Sequence, residues 1–328
     1  MTHLTDVRDF PQAVIVRLPN WVGDVCMCLP VLSLLGSLGI PYAVCARPWA
    51  RELLGALPLQ DFIPMSGKIW ADAQRVRAWR HAHPAFRLGL LLPDSLSSAL
   101  TFRLAGVRSA GYRDDGRGLL LDWSISKPGR TLHAVQSWYA LACEGLRHWG
   151  YGPDLPPVGP DLSLPLLATQ DAQARERLAQ SGLTPRQFVL VAPTATGLHH
   201  GQVKVWPHFD ALVRALQDGG RRVVMCPPPA EQLAARLAAP TAELLDPLPI
   251  GAFAALASHA SLVICNDSGV SHLSAAVGAR QLTLFGVTSP ERTGPWTPHS
   301  TNLGQNGHWP AAEAVIARAQ QLLESPGP

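Results

Sequence analysis

A chain of 328 residues, 47% hydrophobic and 16% charged, is long enough for two folded domains and too apolar for a disordered protein. A net charge of +3, with no basic run interleaved with aromatics, argues against a nucleic-acid partner. No apolar run reaches the roughly 20 residues of a membrane-spanning helix, and the acid-bearing opening MTHLTDVRDFPQ is unlike a signal peptide, so a cytoplasmic protein is expected.

The charge is uneven. Residues 1–160 hold 16 Lys+Arg against 12 Asp+Glu, and residues 161–328 hold 11 against 12. A modestly basic first half suits an anionic partner or a membrane surface. Only three of the 27 basic residues are lysines, namely Lys68, Lys127 and Lys204. Where arginine is so strongly preferred, each lysine is marked as a place for a compact point charge. The six cysteines sit mostly in apolar segments and read as buried free thiols. Cys26 and Cys28 lack the spaced partners that a metal site needs.

Strand-like and helix-like segments alternate along the chain. Strands are expected at 13–18, 42–45, 61–64 and 87–92, with helices over 25–38, 70–82, 95–105 and 132–148. The second half repeats the pattern, with strands at 188–192, 222–226, 262–265 and 282–285. Its helices fall near 169–181, 207–218, 230–238, 251–258 and 269–277. Such alternation predicts two doubly wound α/β domains with parallel sheets, facing each other across a cleft. Residues 150–160, dense in Pro and Gly, form the expected linker, which divides the chain into domains 1–155 and 156–328. The amphipathic segment 311–323 is a final helix able to pack back across the first domain.

Chemistry concentrates at 266–278, NDSGVSHLSAAVG, between two apolar strands. Ligands of open parallel sheets collect beyond the carboxyl ends of strands, at helix N-termini. Ser268 is placed to cap the helix, Gly269 to let a ligand approach the backbone, and His272 to face that ligand one turn further on. Asp267, an anion beside a phosphate site, fits better as an acceptor for sugar hydroxyls. The plainer alternative is that Asp267 and Ser268 only cap a helix and His272 is an internal polar residue. A Ser268–His272–Asp267 hydrolytic triad is disfavoured, because no G-x-S-x-G elbow is present. A two-domain NAD-dependent dehydrogenase is disfavoured too, because no G-x-G-x-x-G follows the first strand.

The block 261–296, ending FGVTSPERTGPW, resembles the C-terminal signature of the ADP-heptose:lipopolysaccharide heptosyltransferases, glycosyltransferase family 9. Two further segments are similar to that family: VRLPNWVGDVCMCLPV at 16–31, and APTAT at 192–196 followed by KVWP at 204–207. The resemblance runs from about residue 13 to 324, and its N-terminal segment is nearer to second-heptosyltransferase-like members. The loop 197–203, carrying His199 and His200, is longer than the family pattern.

The resemblance implies a GT-B fold and inverting, metal-independent transfer of heptose from ADP-L-glycero-D-manno-heptose to an inner-core lipopolysaccharide acceptor. It implies Asp24 as the base on the acceptor hydroxyl, with a dipole-favoured helix-start acid as the alternative. It implies Lys204 as the clamp on the departing phosphate, helped by Thr194 and Thr196. Glu231 becomes a ribose ligand or, equally, an exposed helix-start acid, and Leu248 an adenine contact. Asp267, Ser268, Gly269 and His272 complete the donor site. Lys68, Arg113 and Arg117 are implied contacts for the anionic, lipid-linked acceptor; Asp114 and Asp115 do not make a D-x-D metal motif. No cofactor beyond the donor substrate, a monomer, and work in the cytoplasm against the inner face of the inner membrane are expected. A non-catalytic sugar-nucleotide binder, a GT-B epimerase and a relative using another donor are the alternatives.

Overall fold

The computed structural model describes residues 13–325 apart from positions 130, 197, 200 and 306. The chain packs as two units. The first comprises residues up to Asn20 with Cys28–Arg51 and Pro58–Gly159; the second comprises Trp21–Met27, Glu52–Leu57 and Pro160 onward.

The first unit holds β1 (Val14–Arg17), β2 (Tyr42–Ala46), β3 (Asp61–Pro64), β4 (Leu88–Leu91), β5 (Arg108–Tyr112) and β6 (Trp123–Ile125). They form one parallel sheet in the order β3-β2-β1-β4-β5-β6. β1 and β2 are buried along their whole length, which is why their sequences are continuous apolar runs rather than alternating ones. β5 and β6 are absent from the sequence expectation. Arg108-Ser109-Ala110-Gly111-Tyr112 is too small and polar to read as a buried strand, yet it is buried from Ser109 to Tyr112.

The helix expected over 25–38 is broken. Val22–Met27 ends before Cys28, and Leu29–Ser37 begins with Pro30 in its first turn. Pro30 has no N–H, and its ring crowds the carbonyl four residues back, so one uninterrupted helix cannot form. All six cysteines are buried thiols outside any disulfide.

The second unit holds β7 (Phe188–Ala192), the short hairpin β8 (Leu198–His199) and β9 (Gln202–Val203), β10 (Arg222–Met225), β11 (Glu243–Leu244), β12 (Leu262–Asn266), β13 (Gln281–Leu284) and β14 (Ser300–Leu303). Its main sheet is parallel in the order β11-β10-β7-β12-β13-β14, the same winding as the first. The order reverses between β7 and β12. A crevice opens at their carboxyl ends, because the helices leaving these two strands cover opposite faces. The long loop before Lys204 is the β8–β9 hairpin, in which Leu198 faces Val203 and His199 faces Gln202; His200 lies outside the described residues. The last helix is Ala312–Glu324. It sinks Val315, Ala319 and Leu322 into the second unit's core with Trp206 and Phe209.

Arg117 is a correction. Expected at an acceptor, it is wholly buried in the first unit. Its Nε donates to the Tyr112 carbonyl at 2.6 Å, its other nitrogens reach the Pro93 carbonyl and the Ser98 hydroxyl, and Asp94 lies 3.5 Å away. Its role is to tie the loop after β5 to the loop after β4. Arg117→Ala removes the donor to the buried Tyr112 carbonyl and should cost about 1–3 kcal/mol. Urea unfolding measures it; a loss below about 1 kcal/mol would mean that the cage is not needed.

Candidate functional site

The β7/β12 crevice is a cavity of about 1170 Å³. All of its lining residues belong to the second unit, which includes the short helix Val22–Met27 by packing. Asp24, Thr194, Thr196, Lys204, Glu231, Leu248, Asp267, Ser268, Gly269 and His272 all line it. The acceptor candidates do not. Lys68 precedes the helix Ile69–Ala82, and Arg113 follows β5; both are exposed on the first unit.

Asp267 leaves the end of β12 only 4% exposed. Its Oδ2 accepts from the Thr288 hydroxyl at 2.6 Å and from the Lys204 ammonium at 3.1 Å. The His272 ring, one turn into the helix Gly269–Ala276, brings Nε2 to 4.0 Å from Oδ1. Asp267 and Lys204, assigned separately to sugar and phosphate from the sequence, are therefore partners. Thr288, within the FGVTSP stretch, has no role legible in the sequence, since no local rule ties a threonine to an acid 21 positions upstream.

Asn266 is also absent from the expected set. Fully buried, it accepts the Trp206 backbone N–H through Oδ1 at 2.9 Å, two residues beyond Lys204. The Trp206 ring is 1% exposed, donates from Nε1 to the Pro310 carbonyl at 2.8 Å, and meets Phe209 edge-on. Asn266 thus fixes the backbone that carries the lysine, and Asp267 receives its charge.

Ser268 caps the helix as expected, its hydroxyl accepting from the Val270 N–H. The reading of Gly269 needs amending. A β-carbon there would stand 3.0 Å from Val22 Cβ, and one on Gly23 would stand 2.6 Å from His272 Cδ2. The two glycines let the helices Val22–Met27 and Gly269–Ala276 touch at the backbone. Close packing requires Gly269, whatever a ligand requires.

Asp24, on the helix Val22–Met27, is half-buried. Burial pushes its carboxyl up to about 6; the Lys204 charge opposes the rise, and the Asp267 charge reinforces it. On the far side of the crevice the Thr194 hydroxyl donates to Glu231, joining two residues that the sequence assigned to phosphate and ribose. Leu248 packs against the core behind them. Arg292, in the short helix Pro290–Thr293, adds a second cation that the sequence did not single out.

The family model described as glycosyltransferase family 9 (heptosyltransferase) matches residues 76–322. Lipooligosaccharide heptosyltransferase 2 of Haemophilus influenzae is 28% identical over 311 residues, covering 86% of each chain. Among solved structures, Escherichia coli ADP-heptose lps heptosyltransferase II has a TM-score of 0.74 at 22% identity, covering 95% of this chain and 98% of that one. A glycosyltransferase family 9 protein from Veillonella parvula has a TM-score of 0.80 at 16% identity, covering 95% of this chain and 97% of that one. The fold shared with these structures is of the GT-B class.

A carboxyl held at about 6 against 3.8 unfolded keeps its proton longer in the native state. Native stability therefore falls as pH rises between those values, and the loss is complete above about 6. Asp24→Asn should be more stable than the parent at pH 8 by about 2–3 kcal/mol, seen as a higher melting temperature, with the gap closing near pH 4. A gap that is the same at both pH values would show that Asp24 is ordinary.

Proposed function

The chain belongs to glycosyltransferase family 9, whose members transfer a sugar from a nucleotide donor to an acceptor, and we propose that its donor is ADP-L-glycero-D-manno-heptose and its acceptor the inner core of lipopolysaccharide. The observation that carries this reading is the convergence on one cavity of a carboxyl of raised basicity, a lysine ammonium and a helix N-terminus.

Each part has a task in such a transfer. Asp24, ionised at neutral pH yet a stronger base than an ordinary carboxylate, takes the proton of the acceptor hydroxyl. The acceptor oxygen bonds to the anomeric carbon from the face opposite ADP. The bond from that carbon to the β-phosphate oxygen breaks with its electron pair leaving on ADP, so the configuration inverts. Lys204 and the start of the helix Gly269–Ala276 meet the charge that builds on the phosphate. We propose that this cation and helix end stand in place of a metal ion. Glu231, oriented by Thr194, takes the ribose, and Leu248 lies against adenine. Lys68 and Arg113 meet the anionic acceptor, and the enzyme works as a monomer in the cytoplasm, against the inner face of the inner membrane.

ADP should raise the melting temperature, as any ligand of the native state does. UDP or NAD giving the same rise at the same concentration would sink the donor assignment. Turnover, followed as ADP release with heptosyl-Kdo-lipid A as acceptor, should persist in excess chelator. In the same assay kcat/KM should climb with pH through about 6, where Asp24 loses its proton. Asp24→Asn should lower kcat by roughly 10²–10⁴-fold while still binding ADP. A variant that keeps the parent's turnover would return Asp24 to the role of a helix-start acid.

A further inference from the structure

Lys204 is held at two points by adjacent residues, the last of β12 and the one that follows it. Asn266 pins the backbone just beyond it through the Trp206 N–H, and Asp267 takes its ammonium. Because Trp206 is also locked by its indole bond and its burial, the backbone after the lysine is fixed. The lysine side chain, on its flexible four-carbon stem, is the part that can change partner.

The cavity makes two demands on these residues that compete. A diphosphate needs the Lys204 charge, and Asp267 already has it at 3.1 Å. Resting on the reading of this cavity as an ADP-heptose site, we propose that Asp267 competes with the diphosphate for Lys204 and thereby makes the donor a better ligand than the ADP product. When a phosphate draws the ammonium away, Asp267 is left as a buried carboxylate with Thr288 as its remaining close donor and His272 at 4.0 Å. An ionised group so placed is costly unless hydrogen bonds replace those it lost. Heptose hydroxyls replace them by donating to Asp267. ADP brings no sugar to that position, so the ammonium is drawn back and the nucleotide is let go. The aspartate thus serves donor recognition and product release through the same exchange.

Titration calorimetry with ADP and with ADP-heptose, on the parent and two variants, tests this. Asp267→Asn keeps the shape and removes the competing charge. It should bind ADP more tightly, on the order of 10-fold, the size of a lost charge-assisted hydrogen bond. The preference for ADP-heptose over ADP should collapse in the same variant. Thr288→Val removes the second donor on Asp267 Oδ2, so that the carboxylate holds Lys204 harder, and ADP should bind several-fold more weakly. Opposite signs from two side chains in contact cannot come from general damage, which would weaken both. An Asp267→Asn protein that binds ADP equally or less tightly overturns the proposal, as does a Thr288→Val protein that binds it equally or more tightly. Should Asp267→Asn fail to fold, Asp267→Ser, which also removes the competing charge, takes its place and is read by the same criterion. A parent protein that does not bind ADP refutes the nucleotide reading itself, a result separate from either.

Discussion

An ionised carboxylate cannot remain buried alone, and the second unit's site is arranged around meeting that condition at Asp267. Its close partners arrive from separate stretches of chain: Thr288 from beyond β13, Lys204 from beyond the β8–β9 hairpin, and His272 from the helix it precedes. The Thr288 and Lys204 contacts are also ties between segments. Asn266 adds a neutral tie to the same lysine-bearing segment, and Trp206 continues it into the core. Core packing and the position of the cation are therefore one problem. A change that loosens Trp206 moves Lys204 before it moves the sheet.

Asp24 shows the opposite use of burial. Its basicity rises because burial removes water from it, while the Lys204 charge works against the rise. The glycine contacts that bring the two helices together are therefore part of how strong a base the residue can be. Pro30 contributes from further off, by ending the short helix that carries Asp24 and letting the next one take its own direction.

Much of this was legible in the sequence, for physical reasons that differ by element. Strands buried on both faces, such as β1 and β12, announce themselves as unbroken apolar runs. The half-exposed edge strand β14 and the small-residue strand β5 carry no such mark and were missed. Residues 266–272 stand out because acids, hydroxyls and a glycine gathered at a strand end need an explanation. The pairing of Asp267 with Lys204 does not, since the two meet across 63 positions of sequence. Arg117 misled for a related reason: in sequence it looks like any loop arginine, and only its cage shows that it faces inward. Gly269 was read toward a ligand when its nearest constraint is another helix.

The assignment of Trp21–Met27 and Glu52–Leu57 to the second unit has a bearing on how the protein can be divided. The chain passes between units at 20/21, 27/28, 51/52, 57/58 and 159/160, so the Pro-rich stretch ending at 160 is the last of several crossings. Gly251 N–H donates to the Glu52 carboxylate at 2.9 Å, and the Gln170 amide donates to the Glu52 carbonyl at 2.9 Å, so these early residues complete helices formed far later in the chain. A fragment starting at Pro160 would keep its sheet but lose Asp24 and the short helix that carries it. The two halves are consequently not interchangeable modules, and a chimera joined at the linker would inherit its acid from one parent and its cation from the other.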